Sequence, residues 1–151
     1  MTRKIFAAVA AVVLLAACGS NTAAKVHIPE PEIHLEQLSS APGVAAHVTG
    51  GIPINFRMSV TNTAKIPVTL KRVNVTSQGS GGYNVPNTSR PFDKMIPPGE
   101  TWETEFWVPA YADPSVAGVN GAVAVRLIAY LDSPEGSFQT VTVQQVTGRL
   151  P

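Results

Sequence analysis

From residue 52 the chain alternates between apolar and polar side chains with a period of two. Ile52, Ile54, Phe56, Met58 and Val60 fall on one side, and Asn55, Arg57, Ser59 and Thr61 on the other. This predicts a strand with one dry face. Ile33-His34-Leu35-Glu36 predicts a first strand ahead of it. Thr61 to Lys65 reads as a turn, and Pro67-Val68-Thr69-Leu70 opens the next strand, with Val68 and Leu70 inward. Val73 and Val75 then sit on odd numbers, so the phase slips near Lys71-Arg72. A bulge there returns the valines to the core without burying Arg72.

Residues 77–91 hold Gly79, Gly81, Gly82, Pro86 and Pro91 and are expected to be irregular, with a short edge strand at Tyr83 and Val85. Pro97-Pro98-Gly99-Glu100 is a turn signal. Strand 101–108 follows, with Trp102, Thr104, Phe106 and Val108 assigned to the core and Glu103, Glu105 and Trp107 to the other side. Residues 109–121 read as a loop. Val123, Val125, Leu127, Ala129 and Leu131 mark a long central strand, and Asp132 to Gly136 a turn. The last strand runs from Phe138 to Val146, with Val141 and Val143 expected inward.

Regularly spaced strands without a helical period predict an all-β domain. The expected architecture is an immunoglobulin-like or fibronectin III-like antiparallel β-sandwich of about seven strands, with a small barrel or jelly roll as the alternative. The 151 residues suit one domain.

The N-terminus has a different pattern. Basic Arg3-Lys4 precedes Ile5 to Ala17, which contains no charged side chain. As a helix this run spans about 20 Å, short of a bilayer core of roughly 30 Å, and it fits the apolar region of a signal peptide. Its end, Leu15-Ala16-Ala17-Cys18, resembles the lipobox of bacterial lipoproteins. That resemblance implies cleavage before Cys18, a diacylglyceryl group on its sulfur, and often an acyl chain on its freed amine. Cys18 is the single cysteine of the chain, so no internal disulfide is open to it. Gly19, where enterobacterial lipoproteins kept in the inner membrane carry Asp, implies outer-membrane sorting if the organism has an outer membrane.

The expected organisation is therefore a signal peptide at 1–17, a lipidated N-terminus and proline-containing tether at 18–32, a sandwich at 33–147 and a tail at 148–151. The segment from Phe56 to Val75, with its Asn-centred turn and Pro-Val-Thr-Leu, resembles immunoglobulin-like domains of bacterial envelope proteins. It is also similar to the water-stress, late-embryogenesis-abundant type 2 class. With Pro97 to Glu100 and the next strand, the resemblance covers residues 50–108, and it concerns fold alone.

Charged residues make up 14% of the chain, and the formal net charge is +1, becoming −1 once Arg3 and Lys4 are removed. Such a balance argues against a nucleic-acid partner. No nucleophile motif, phosphate loop or HExxH occurs, so no catalytic residue, metal ligand or cofactor is assigned. His27 falls in the tether, His34 opposite the apolar phase and His47 in a loop. With the methionines they leave a metal or small-ligand carrier as the alternative function. Scattered carboxylates, Glu103 and Glu105 among them, give only a slight case for a hydrolase.

Exposed aromatics carry the functional expectation. Trp107, Tyr111, Tyr83, Arg90 and Phe92 form the candidate interaction surface, since aromatics beside arginine anchor protein interfaces. A covering of Trp107 by residues 77–91 is the competing expectation. The sequence thus predicts a non-enzymatic envelope lipoprotein. It would be held to the membrane through Cys18 and would serve as an interaction or accessory module for another envelope protein.

Overall fold

The computed structural model describes residues 29–38, 51–79, 81–112 and 122–147. The expected signal peptide and Cys18, together with His27 and His47, lie outside these residues. Among the described residues the fold is all-β, with eight strands in two sheets, loosely sandwich-like, one sheet curled into a half-barrel. The strands are β1 (Glu32–Gln37), β2 (Ile52–Thr61), β3 (Val68–Gln78), β4 (Tyr83–Asn84), β5 (Thr88–Ile96), β6 (Thr101–Ala112), β7 (Val123–Ser133) and β8 (Gly136–Val146). One sheet has the order β1-β2-β6-β4 and the other β5-β3-β7-β8, and every pairing is antiparallel.

The alternation in β2 translates directly into burial. Ile54, Phe56, Met58 and Val60 are buried and face Val68, Leu70, Val73 and Val75 of β3 and the five apolar inward positions of β7 within one core. The expected bulge is present. The register of β3 against β7 shifts between Leu70 and Arg72, which leaves Val73 and Val75 inside and Arg72 exposed. Arg72 lies across the Tyr130 ring at 4.1 Å.

Two turns are tied together by Asn62, which is 1% exposed. Its Nδ2 donates to the carbonyls of Ile66 (2.8 Å) and Ile96 (3.0 Å), and its Oδ1 accepts from the Ala64 amide at 3.0 Å. Its backbone amide donates to Glu100 O, and its own carbonyl accepts from Gly99 N. Gly99 has φ of 74° and the Glu100 amide donates to Pro97 O. That is the positive-φ position a type II turn reserves for glycine.

The structure corrects the sequence reading in several places. Residues 77–91 are more regular than expected: β3 runs to Gln78, and β5 begins at Thr88 with Pro91 inside it, opposite Arg72. A proline is accommodated there because β5 is an edge strand and the proline nitrogen loses no ladder bond on its outer side. Residues 109–112 belong to β6 rather than to a loop.

The phase of β8 is the reverse of expectation: Val141 and Val143 are exposed by 46% and 53%, while Thr140 and Val146 are buried. The β7–β8 hairpin fixes this register, pairing Ile128 with Val141 and Leu127 with Thr142. The middle of the inward side of β8, from Thr140 to Gln144, is polar because it binds the margin of the other sheet, between the apolar Phe138 and Val146. Gln144 accepts the Leu35 amide (2.8 Å) and donates to the Ile33 carbonyl (2.7 Å), and Thr140 donates to Glu30 at 3.0 Å.

Candidate interaction surface

Period-two geometry sends the odd-numbered residues of β6 outward. The strand therefore displays Glu103, Glu105, Trp107, Pro109 and Tyr111 in a row. Trp107 is 53% exposed and Tyr111 48%. A Cβ on Gly51 would stand 3.3 Å from Pro109 Cβ and in ordinary contact, 3.5 Å, with the Tyr111 ring.

The five expected surface residues separate into two groups. Trp107 and Arg90 come together, and Tyr111 lies four residues further along the same outward row of β6. The Arg90 guanidinium lies 4.5 Å from the Trp107 ring centroid, and its Nε donates to the Trp107 carbonyl at 2.8 Å. The 77–91 segment thus places Arg90 over the ring while about half of Trp107 stays open. Tyr83 and Phe92 are placed elsewhere. Tyr83 is 6% exposed, and its hydroxyl donates to Gln37 Oε1 at 2.7 Å. Burial holds its pKa well above the ordinary phenol value. Phe92 is half-buried and edge-on to Trp102 (5.5 Å) and Phe106 (5.9 Å), closing the gap between β5 and β6.

The outward face of β1, β2 and β6 is acidic. Glu36, Glu103 and Glu105 surround Arg57, whose guanidinium meets Glu105 at 2.8 Å and Glu36 at 3.7 Å. The hydrogen bond with Glu105 raises the Arg57 pKa above its ordinary value. On the other sheet, Val141, Val143 and Met95 are exposed apolar side chains that sequence pattern did not place outward. The polar side chains that organise the fold, Asn62 and Gln37, were also missed. Only the Asn-centred turn hinted at the first.

A concavity of about 270 Å³ lies between β1 and β8, with His34, Glu36, Gln37 and Gln145 in its lining. Of the three histidines, His34 alone falls among the described residues. Among those residues no group of three or more His, Cys, Asp or Glu is placed to hold a metal ion. Also among them, no helix is long and apolar enough to cross a membrane.

No protein-family model matches the chain, and a search of curated proteins found no significant match. Solved structures do match in shape. One, described as "X-ray structure of Northeast Structural Genomics Consortium target SoR45", aligns with a TM-score of 0.54 at 10% identity, covering 78% of this chain and 85% of that one. At that identity the likeness is one of fold.

Proposed function

We propose that the chain is a lipid-anchored envelope protein whose strand domain is a non-enzymatic interaction module. The domain would be of immunoglobulin-like or fibronectin III-like class. The observation that carries the anchor is Leu15-Ala16-Ala17-Cys18, placed at the end of an uncharged run in a chain with one cysteine. The sulfur of Cys18 takes the lipid, and buried acyl chains contribute about 0.8 kcal/mol per CH₂ to membrane retention. Gly19 favours the outer membrane, facing the periplasm, in an organism that has one. The exposed Trp107 and Tyr111, with Arg90 stacked on the former, support the module half of the reading. They lie on one outward face of a β-strand, and exposed aromatics of this kind anchor protein partners.

Mass spectrometry of the membrane fraction tests the anchor. The expected species begins at an acylated Cys18, and Cys18→Ser moves the protein out of that fraction. Recovery of a chain that still begins at Met1, or of a cut chain with a bare thiol, overturns it. Cross-linking and co-purification with Trp107→Ala tests the module. A partner captured by the native protein and lost from the folded variant is expected, and equal capture by both removes Trp107 from the surface.

A further inference from the structure

Between Thr101 and Glu105 the margin of β6 away from β2 pairs with no described strand; β4 takes only its far end, and Arg90 and Phe92 of β5 pack beside it. Asn55 shows which groups lie on that margin. The Asn55 carbonyl accepts from the Leu38 amide, so the peptide groups of Asn55 point toward β1. Its partner in register, Trp107, therefore sits in a non-hydrogen-bonded pair and turns its own amide and carbonyl away from β2. Arg90 meets that carbonyl. Glu105 opposite Arg57, Glu103 opposite Ser59 and Thr101 opposite Thr61 share the same parity. The close contact of the Thr61 and Thr101 hydroxyls (2.8 Å) agrees with a non-hydrogen-bonded pair. The amides and carbonyls of Glu103 and Glu105 thus face the open side. Strand β4 pairs only with Tyr111 and Ala112, at the far end. Arg90 stops the open stretch at Trp107, and Pro109 brings no amide proton.

The geometry points to strand addition on β6 at Thr101–Glu105 by an extended peptide carrying two basic residues separated by one. A residue directly opposite Glu103 or Glu105 would exchange both backbone bonds with it, as in other edge-recognition modes. Its side chain would lie on the same face as the glutamate, where opposite charges attract and like charges repel. The residue between the two basic ones would turn inward, toward the side on which Phe92 and Trp102 meet. A second copy of this chain is a poor occupant. Antiparallel pairing of two β6 margins about Thr104 sets Glu103 against Glu105 twice. Glutamates on an edge are a common guard against that kind of self-pairing. The inference rests on the reading of the domain as an interaction module and is independent of the lipid on Cys18.

The test uses the full chain in detergent micelles, labelled for amide NMR, and a capped Val-Lys-Val-Lys-Val peptide. Binding should protect the Glu103 and Glu105 amides from exchange with solvent. A Val-Glu-Val-Glu-Val peptide should bind weaker by on the order of tenfold or more. N-methylation of the two lysine amides should abolish protection, because those amides would donate to β6. Glu103→Lys with Glu105→Lys should reverse the preference between the two peptides. Changes on the peptide side leave the protein untouched, so a misfolded variant does not decide the result. Equal binding of the acidic peptide overturns the inference, as does binding that survives N-methylation, protection elsewhere, or protection by self-association without peptide. If native protein still loses its partner on Trp107→Ala while the edge fails these tests, the module stands and the strand addition falls.

Discussion

Arg90 makes two contacts with one residue of the opposite sheet: its guanidinium lies over the Trp107 indole at 4.5 Å, and its Nε bonds the Trp107 carbonyl at 2.8 Å. A single side chain from β5 therefore orients an exposed aromatic on β6 and caps that strand's margin. Stability and recognition should separate here. Arg90→Ala should cost about 1–2 kcal/mol, because solvent screens both its exposed hydrogen bond and its cation–π contact. Trp107→Ala should cost less, about 1 kcal/mol, because half of the ring is already in water. Urea denaturation of both variants checks the order. A Trp107→Ala loss of 3 kcal/mol or more, the scale of a core aromatic, would place the indole in the core.

Tyr83 supplies a pH-dependent prediction. Its hydroxyl is buried against Gln37, and burial raises its pKa above that of the unfolded phenol, about 10. The unfolded chain releases this proton first as pH rises. The stabilisation from Tyr83 is thus complete below pH of about 10 and declines above it, toward the raised folded-state value. Tyr83→Phe should cost about 1–2 kcal/mol at neutral pH through the lost bond. It should also flatten the alkaline arm of the stability curve, measured by chemical denaturation from neutral pH upward. An unchanged arm would mean that other groups govern it.

Asn62 joins the β2–β3 turn to the β5–β6 turn through three side-chain bonds. Asn62→Ala should cost about 3 kcal/mol by that count. Asn62→Asp should be worse at neutral pH despite its matching shape, because a carboxylate would face two carbonyl oxygens that now receive N–H donors. Thermal melts at two pH values distinguish the cases. The Asp variant should recover on acidification, when its carboxyl becomes a donor, and the Ala variant should not.

Asp93 has φ of 59° beside the irregular stretch of the β3–β5 pairing. Its carboxylate meets Lys71, an exposed pair. Asp93→Gly and Asp93→Ala both remove that pair, so their difference isolates the backbone. The Ala variant should be less stable by about 1 kcal/mol, the cost of a Cβ in the left-handed region. Equal melting temperatures would show that the turn relaxes.

The sequence made the interior of β2, β3 and β7 readable because their buried side chains are apolar and keep a strict period, broken once at Lys71 by a bulge that polarity alone locates. It misled at β8 for a physical reason. The inward side of an edge strand need not be greasy when it serves another strand's backbone. Thr140 and Gln144 took the inner positions as hydrogen-bonding groups, and Val141 and Val143 were left outside. The same blind spot hid Tyr83 in the candidate surface. A glycine-rich neighbourhood suggested exposure, whereas Gln37, distant in sequence, offers the hydroxyl a buried acceptor. Trp107 was legible by parity alone. A cover from residues 77–91 was also among the expectations, and the structure supplies it through Arg90 alone, leaving about half of the ring open.

The Gln144 amide bears on what happens when many copies crowd together. It occupies the Leu35 amide and the Ile33 carbonyl on the rim of β1, opposite the side on which β6 is open. A molecule with both rims vacant could string itself head to tail into a growing ribbon. With one rim stoppered by its own glutamine, any such growth through this sheet would end after a single guest.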